Sequence, residues 1–291
     1  SISYNLIIKT NRVDMFNASL WAVISATISV VAAIGSMPIF ELISNTVSPV
    51  RLIDLSQPGH PLLKRLFLEA PGTSQHSMMV ANLADSAADA IGADALLAKV
   101  GAYYHDIGKL ENPEFFTENQ NEGVNPHDSM NPTDSSKIIT SHPDNGIRLA
   151  RKNRLPNSII RIIQEHHGTT VQSYFYHKAK MIADENGRPD PTPDEFKYKG
   201  AIPSSREAAV VMLADTCEAA LRSTGITKLD EAELLFRKLI KQKIEQDQLI
   251  SSGLSFSDIE KIIGAFLQVY AGYFHERIKY PDDNGDRKQT T

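Results

Sequence analysis

The sequence predicts an all-α protein in which one long apolar helix precedes a bundle of amphipathic helices. After residue 50, apolar residues recur at spacings of three and four, which is the period of a helix. They do so in eight segments, at 60–69, 75–91, 94–107, 134–151, 156–167, 204–223, 229–248 and 257–278. No segment shows the strict alternation of a half-buried strand. With 291 residues, 42% of them hydrophobic, the chain can bury the core of one large domain or two modest ones.

The first element is an uncharged run of 26 residues, from Met15 to Phe40. At about 1.5 Å per residue, a helix of this length crosses a hydrocarbon core of roughly 30 Å. We therefore predict a transmembrane helix over residues 15–40. A buried or interfacial helix is the alternative, because six Asn, Ser and Thr residues dilute the hydrophobicity. A signal peptide fits less well, since the run is long and lacks a strongly basic start. Position 1 is Ser rather than Met, so we expect a longer parent chain.

Capping residues predict where the later helices begin and end. Thr73 or Ser74 is expected to cap the helix that carries His76. Pro143 suits the first turn of a helix, where its missing N–H costs nothing. Gly168 marks a helix end, since glycine adopts the left-handed conformation found there.

Two stretches interrupt the helical pattern. Residues 111–133, rich in Asn, Pro and Glu, indicate a short helix within a long loop. Residues 184–203 contain four prolines and two glycines and indicate a surface insertion. The chain from Pro281 onward is polar and is expected to fray. An α-helical domain over about 51–280 follows.

Charge is distributed unevenly along the chain. Residues 1–50 carry two basic and two acidic side chains, so the whole formal net charge of −5 lies after residue 50. The sequence has no basic stripe, and a protein that grips long nucleic acid needs clustered Lys and Arg. Long nucleic acid is therefore excluded as the expected partner. The single cysteine, Cys217, excludes an internal disulfide and fits a reducing compartment.

Histidines and aspartates at the ends of apolar helices indicate a metal site. The pairs His105-Asp106 and His166-His167 each close an apolar run. A charged group at a buried helix end needs a partner that offsets its desolvation, and a divalent metal is an efficient one. The candidate ligands are His76, His105, Asp106, His142, His166, His167 and Asp215. The other histidines stand in polar or ordinary amphipathic context, at His60, His127, His177 and His275.

In order and type, these seven residues resemble the metal-binding signature of the HD-domain metal-dependent phosphohydrolases. Longer motifs resemble the cytoplasmic domain of the bacterial seven-transmembrane HD family. They are HPLLKRL at 60–66, EAPGT at 69–73, YYHDIGK at 103–109, ENQ at 118–120, EHHGT at 165–169 and LADTCEAA at 213–220. The similarity runs from about residue 38 to 280. Characterised members of that family are cyclic di-AMP phosphodiesterases.

The resemblance implies an order of segments along the chain. Residues 1–14 form a short loop before the membrane, 15–40 the last transmembrane helix, and 41–55 a connector. The HD phosphohydrolase domain occupies 56–280, and 281–291 is a polar tail. The protein then belongs to the bacterial cell membrane, with the HD domain facing the cytoplasm. Homo-oligomerisation is left open.

The resemblance also implies two metal ions. One is held by His76, His105, Asp106 and Asp215, and the other by His142, His166 and His167 with Asp106 as a bridge. Nitrogen and oxygen ligands without thiolate suit divalent first-row ions, Fe or Mn above all. The implied reaction is attack of a metal-bridging hydroxide on phosphorus. Lys109, one turn after the His-Asp pair, is expected to contact a phosphate and, with Asp106, to be catalytic.

Substrate contacts are less well defined, because two segments depart from the family pattern. Ser74-Gln75 stands where the family has an aromatic residue and a histidine, and residues 196–201 read FKYKGA in place of an FRYPGP-like segment. The candidate substrate contacts are Lys109, Tyr174, His177 and Arg222.

Three functions are compatible with these residues. The first is a membrane-tethered phosphodiesterase that converts cyclic di-AMP to pApA. The second keeps the metals but acts on cyclic di-GMP or another nucleotide. Against cyclic di-GMP, Gly168-Thr169-Thr170 stands where that branch has a Gly-Tyr-Pro element. The third is a sensor that binds a nucleotide without turnover, and the complete set of seven ligands argues against it.

Overall fold

The structure, a computed structural model, describes residues 12–44, 46–120 and 125–275. The prediction of an all-α fold is confirmed. The described residues form α-helices and short 3-10 turns, and their β pairing is limited to an isolated antiparallel bridge between Val171 and Lys197. The predicted loop at 1–14 is described only from Arg12, where a helix has already begun, and the predicted tail at 281–291 lies outside the described residues.

The chain divides into two compact units, residues 1–48 and 49–291. The first contains helix α1, Arg12–Ser44. Its stretch Met15–Met37 is long and apolar enough to cross a membrane, with a mean hydropathy of 1.9, and none of it is buried among the described residues. Trp21, for example, is 68% exposed. By length and composition, this stretch has the properties of the predicted membrane span.

The second unit is a bundle of eleven described α-helices, with four described 3-10 turns in one connection and a single one, Pro193–Phe196, in another. They are α2 Pro49–Leu55, α3 Pro61–Glu69, α4 Pro71–Ala90, α5 Ala95–Tyr104, α6 Pro132–Thr140, α7 His142–Lys152, α8 Asn157–Glu165, α9 Ser173–Glu185, α10 Arg206–Thr224, α11 Leu229–Glu245 and α12 Phe256–His275.

Helix α4 is the centre of this bundle and packs against α5, α10 and α12. Alanines such as Ala81, Ala84 and Ala88 form its buried face, and these small side chains allow the neighbouring helices to approach closely. Larger side chains fill the remaining space, including the edge-to-face rings of Phe236 and Phe266. The core therefore fixes the positions of α4, α5 and α10, which carry or adjoin four of the predicted ligands.

The predicted cap of α4 is wrong. The helix begins at Pro71, so Thr73 lies inside its first turn instead of before it. The N–H of Thr73 donates to Oδ1 of Asn119 at 3.0 Å, and Nδ2 of Asn119 donates to the Thr73 hydroxyl at 2.8 Å. A residue 46 positions away thus supplies the oxygen that a local cap would have supplied. The same bonds attach the 3-10 segment Thr117–Asn119 to α4.

Other helix predictions differ in detail. The segment predicted at 134–151 is divided into α6 and α7 at Ser141, with Pro143 in the first turn of α7 as expected. Helix α9 lies where no helix was assigned. The surface insertion predicted at 184–203 is wrong for its last part, because Phe196 and Tyr198 are buried. The Tyr198 N–H donates to the carbonyl of Thr170 at 3.0 Å and holds this part against the preceding loop.

Candidate metal centre

The structure brings all seven predicted ligands into one cluster. His76 lies on α4, His105 and Asp106 follow the end of α5, and His142 is the first residue of α7. His166 and His167 follow the end of α8, and Asp215 lies within α10. Six of the seven are buried, and His167 is partly buried. Helix ends place the paired residues, because adjacent side chains can point to one site only where the helix stops.

Asp106 lies between two groups of histidines. Its Oδ1 is 3.1 Å from Nε2 of His142 and 3.7 Å from Nε2 of His166. Its Oδ2 is 3.2 Å from Nε2 of His105 and 3.5 Å from Nε2 of His76. One carboxylate therefore faces both sets of proposed ligands, which is the placement that a bridging ligand requires.

Asp215 adds a second carboxylate on the α10 side of the cluster. Its Oδ1 is 3.0 Å from Nε2 of His76 and 3.8 Å from Nε2 of His105. Its Oδ2 is 3.5 Å from Nδ1 of His167. Because His167 belongs to the second proposed ligand set, Asp215 touches residues of both sets.

Three of the histidines are oriented in the same way. Nδ1 of His105, His142 and His166 donates to a carbonyl three residues earlier, at 2.6, 2.7 and 2.8 Å. This bond places a proton on Nδ1, so Nε2 of each ring is the nitrogen that is directed into the cluster and available to a metal. The Nε2 atoms of His142 and His166 are 3.0 Å apart. Two neutral rings that each carry their proton on Nδ1 would bring two lone pairs together here, and a cation bound by both would remove that repulsion.

Orphaned polar atoms indicate that a metal fits this cluster. Nε2 of His105 and Oδ1 of Asp106 are buried and make no hydrogen bond of acceptable geometry with any described residue. A buried polar atom without a hydrogen-bond partner is costly, and coordination to a divalent ion would offset that cost. The donor set is nitrogen and oxygen only, which suits first-row ions.

The charges in the cluster are set by burial and by the neighbouring side chains. Burial and the nearby rings of His105 and His142 lower the pKa of His166 to about 3, and burial also lowers the pKa of His167. Burial opposes ionisation of Asp106, but His105 and Lys109 hold its pKa well below the usual value. Burial lowers the pKa of His105. The carboxylates of Asp106 and Asp215 outweigh burial and raise that pKa to about 10.

These shifts predict how metal binding depends on pH. Without metal, His105 carries a proton below pH 10 and the pKa of His76 is also raised, whereas His166 is neutral. Metal binding must displace the protons, so we expect release of about one to two protons and an affinity for Mn²⁺ that rises with pH between 6.5 and 8.5. Calorimetry in buffers of different ionisation enthalpy measures this release. An affinity independent of pH would contradict it.

Glu218 is a member of the site that the sequence did not reveal. It lies one turn after Asp215 on α10, and its carboxylate accepts from Nδ1 of His76. A carboxylate behind a ligating histidine fixes the orientation of the ring and raises its basicity. The i, i+3 spacing from Asp215 was the available signal, but many helices show such a pair by chance.

Glu218→Gln is therefore expected to weaken Mn²⁺ binding about tenfold, since the amide keeps an acceptor for His76 but loses the charge. Titration of the metal-free protein with Mn²⁺ measures the affinity. Glu245→Gln is the matched control, because Glu245 is exposed at the end of α11. The affinity of this variant for Mn²⁺ should equal that of the unmodified chain. Equal affinities in both variants would exclude the support role of Glu218.

Lys109 is held between two carboxylates. Its Nζ is 2.8 Å from Oδ2 of Asp106 and 2.6 Å from Oε1 of Glu118, and it lies 5.0 Å from the centre of the Phe116 ring. The structure thus places Lys109 beside the cluster, with its charge already balanced. Glu118 belongs to the quoted ENQ motif, but its pairing with Lys109 was not predicted, because it depends on how the 3-10 segment folds back.

A cavity of about 670 Å³ opens beside the cluster. Four predicted ligands line it, together with several aromatic side chains. The ligands are His76, His142, His167 and Asp215, and the aromatic residues are Phe115, Phe116, Tyr174, Phe175 and Tyr198. Of the predicted substrate contacts, Lys109, Tyr174 and Arg222 line the cavity. His177 is exposed on α9, outside the cavity wall. His127, which was not among the predicted site residues, is buried in that wall.

A helical bundle with this His and Asp cluster defines a class of metal-binding domain, and comparison with known proteins agrees. Residues 73–220 match the HD domain family, and the chain belongs to that family. It is 42% identical over 263 residues to the cyclic-di-AMP phosphodiesterase PgpH of Bacillus subtilis strain 168, covering 90% of this chain and 36% of that protein. With PgpH of Listeria monocytogenes strain 10403S it shares 40% identity over 253 residues, 87% of this chain and 34% of that protein.

A solved structure is similar as well. The crystal structure of the L. monocytogenes PgpH HD domain in complex with cyclic-di-AMP superposes with a TM-score of 0.70 at 39% identity, covering 75% of this chain and all of that one. The resemblance to HD-domain phosphohydrolases, and within them to cyclic-di-AMP phosphodiesterases, is therefore confirmed. The chain spans about a third of the length of the curated relatives that it matches.

Proposed function

We propose that this chain is the catalytic portion of a membrane-bound, metal-dependent phosphodiesterase that hydrolyses cyclic di-AMP to pApA. The observation that carries the proposal is the cluster of five histidines and two aspartates beside a cavity of about 670 Å³. The similarity to PgpH proteins supports the choice of substrate. A cavity of this volume lies within the range of small-molecule sites, which is roughly 300–1,000 Å³.

The proposal assigns two divalent ions, Fe or Mn, to the cluster. His76, His105, Asp106 and Asp215 would hold one, and His142, His166 and His167 the other, with Asp106 shared. Bound divalent ions of this kind lower the pKa of coordinated water and offset the charge that develops on a phosphoryl group. The orphaned Nε2 of His105 and Oδ1 of Asp106 support metal ligation.

The protein's own side chains prepare the site for an anion. Asp106 and Lys109 form a buried pair, so the Lys109 ammonium is fixed at the edge of the cluster within reach of a phosphate in the cavity. Glu118 holds the other side of that ammonium. Aromatic residues such as Tyr174 and Phe175 supply surfaces on which a nucleobase can stack. We assign Asp106 and Lys109 to catalysis, and Lys109, Tyr174 and Arg222 to substrate binding.

We further propose that Met15–Met37 anchors the protein in the bacterial membrane and that the HD domain, at 56–280, faces the cytoplasm. The length, hydropathy and exposure of α1 support the anchor. The free thiol of Cys217 is compatible with a reducing compartment. Protease treatment of sealed vesicles tests the orientation: the HD domain should be cleaved in inverted vesicles and protected in right-side-out ones.

Incubation of the detergent-solubilised chain with Mn²⁺ and a panel of cyclic dinucleotides tests the activity. We expect loss of cyclic di-AMP and appearance of pApA. Faster turnover of cyclic di-GMP would contradict the substrate assignment. Tight binding of cyclic di-AMP without product would favour a sensor. Elemental analysis of protein purified without oxygen gives the identity and number of the metals.

A further inference from the structure

One lysine in the cavity wall is not used by the proposed mechanism. Lys243 lies near the C-terminal end of α11, a helix that carries none of the metal ligands. It lines the cavity together with His167, Asp215 and Thr216. Nothing in the sequence distinguishes it, because it is one of several lysines on an amphipathic helix.

The charges of the cavity wall set Lys243 apart. Among the described residues, three Lys or Arg side chains line the cavity. Lys109 is paired with Asp106 and Glu118 at 2.8 and 2.6 Å, and Arg222 has Oε1 of Glu218 at 3.7 Å.

Lys243 has no such partner. It makes no ion pair within 4.0 Å and no side-chain hydrogen bond with the described part of the chain. Its side chain is partly buried. Burial lowers the pKa of Lys243, and the Asp215 carboxylate, which lies beyond the 4.0 Å of an ion pair, offsets only part of the lost hydration. An anionic ligand in the cavity would offset the remainder.

The chemistry of the proposed substrate provides such an anion. A cyclic dinucleotide contains two phosphodiester groups, each with one negative charge. One of them must lie at the metal ligands to be hydrolysed, and the ring then carries the other elsewhere in the same cavity. Lys109 is paired with Asp106 in the cluster at 2.8 Å, whereas Lys243 interacts with the Asp215 carboxylate only from beyond the 4.0 Å of an ion pair.

We infer that Lys243 binds the phosphate of the cyclic dinucleotide that is not being cleaved, an inference that rests on the proposed function. It is a substrate-binding residue with no part in the chemical step. Because this contact would be present equally in the bound substrate and in the transition state, its loss should raise KM and leave kcat nearly unchanged.

The test compares Lys243→Met with Lys241→Met in the full chain loaded with Mn²⁺. Methionine is an unbranched side chain one atom shorter than lysine, and it removes the charge. Lys241 is 74% exposed on the same helix and pairs with Glu245 at 3.6 Å, so its variant should behave as the unmodified chain does. We expect K243M to raise KM for cyclic di-AMP roughly 10- to 100-fold, since a hydrogen bond between charged groups is lost.

A second substrate separates this role from others. Bis(p-nitrophenyl) phosphate contains a single phosphodiester, so K243M should leave its hydrolysis and the metal content unchanged. An equal loss of hydrolytic activity with both substrates would overturn the inference, because Lys243 would then act at the scissile phosphate or on the metals. An unchanged KM for cyclic di-AMP would overturn it as well. Failure of the unmodified chain to hydrolyse cyclic di-AMP would instead contradict the proposed function.

Discussion

Replacing Asp106 by asparagine is expected to lower phosphodiesterase activity on the order of 1,000-fold, because the metal centre would lose the ligand that faces both histidine sets. The carboxylate oxygens lie 3.1 Å from Nε2 of His142 and 3.2 Å from Nε2 of His105. An amide has one oxygen and a nitrogen that cannot coordinate a cation, and its N–H groups would point at the lone pairs or at the ions. Hydrolysis rate and metal content by elemental analysis measure the effect.

The control is Asp89→Asn, which makes the same change at an exposed aspartate near the end of α4. Its activity and metal content should equal those of the unmodified chain. Far-UV circular dichroism should show the same helical signal in both variants, since the helices that carry the ligands are fixed by the core around α4. Full activity of D106N would refute the assignment of Asp106, and a lost helical signal would indicate unfolding instead of a vacated site.

The helices of the second unit could be predicted because each buries one apolar face, and that requirement imprints a period of 3.6 on the sequence. The predictions failed where tertiary contacts determine whether a helix forms or where it begins. Helix α9 carries few buried side chains, among them Phe175 and Ala183, so its apolar pattern is weak. The start of α4 depends on Asn119, which lies 46 residues from Thr73, and no local pattern reports such a bond.

The same distinction applies to the site. His105, Asp106, His166 and His167 could be identified because pairs of polar residues at the ends of buried helices are costly without a partner. The residues that support these histidines and aspartates could not be identified from the sequence. Glu218 acts on His76 across 142 residues of sequence, and its role exists only once α4 and α10 are packed together. The aromatic wall formed by Tyr198 has the same origin, since the loop that carries it is held by Thr170.

Gly108→Ala is expected to lower the free energy of unfolding by about 1–3 kcal/mol and to reduce metal content. Gly108 lies in the 3-10 segment Ile107–Glu111, against which α7 packs. A Cβ at this position would overlap the carbonyl oxygen of His142 and lie 2.5 Å from the backbone nitrogen of Gly146. Both neighbours are backbone atoms, so neither can rotate away. The whole of α7 must move, and its first residue is the proposed metal ligand His142.

Gly264→Ala on α12 is the matched control, because a Cβ there meets no atom within 4 Å. Alanine is the better helix former, so this variant should be as stable as the unmodified chain or more stable by up to about 1 kcal/mol. Thermal unfolding and elemental analysis of both variants measure the difference. If the contact of Gly108 with α7 positions His142, only G108A loses metal; unchanged stability and metal content in G108A would show that α7 can shift without moving its ligand.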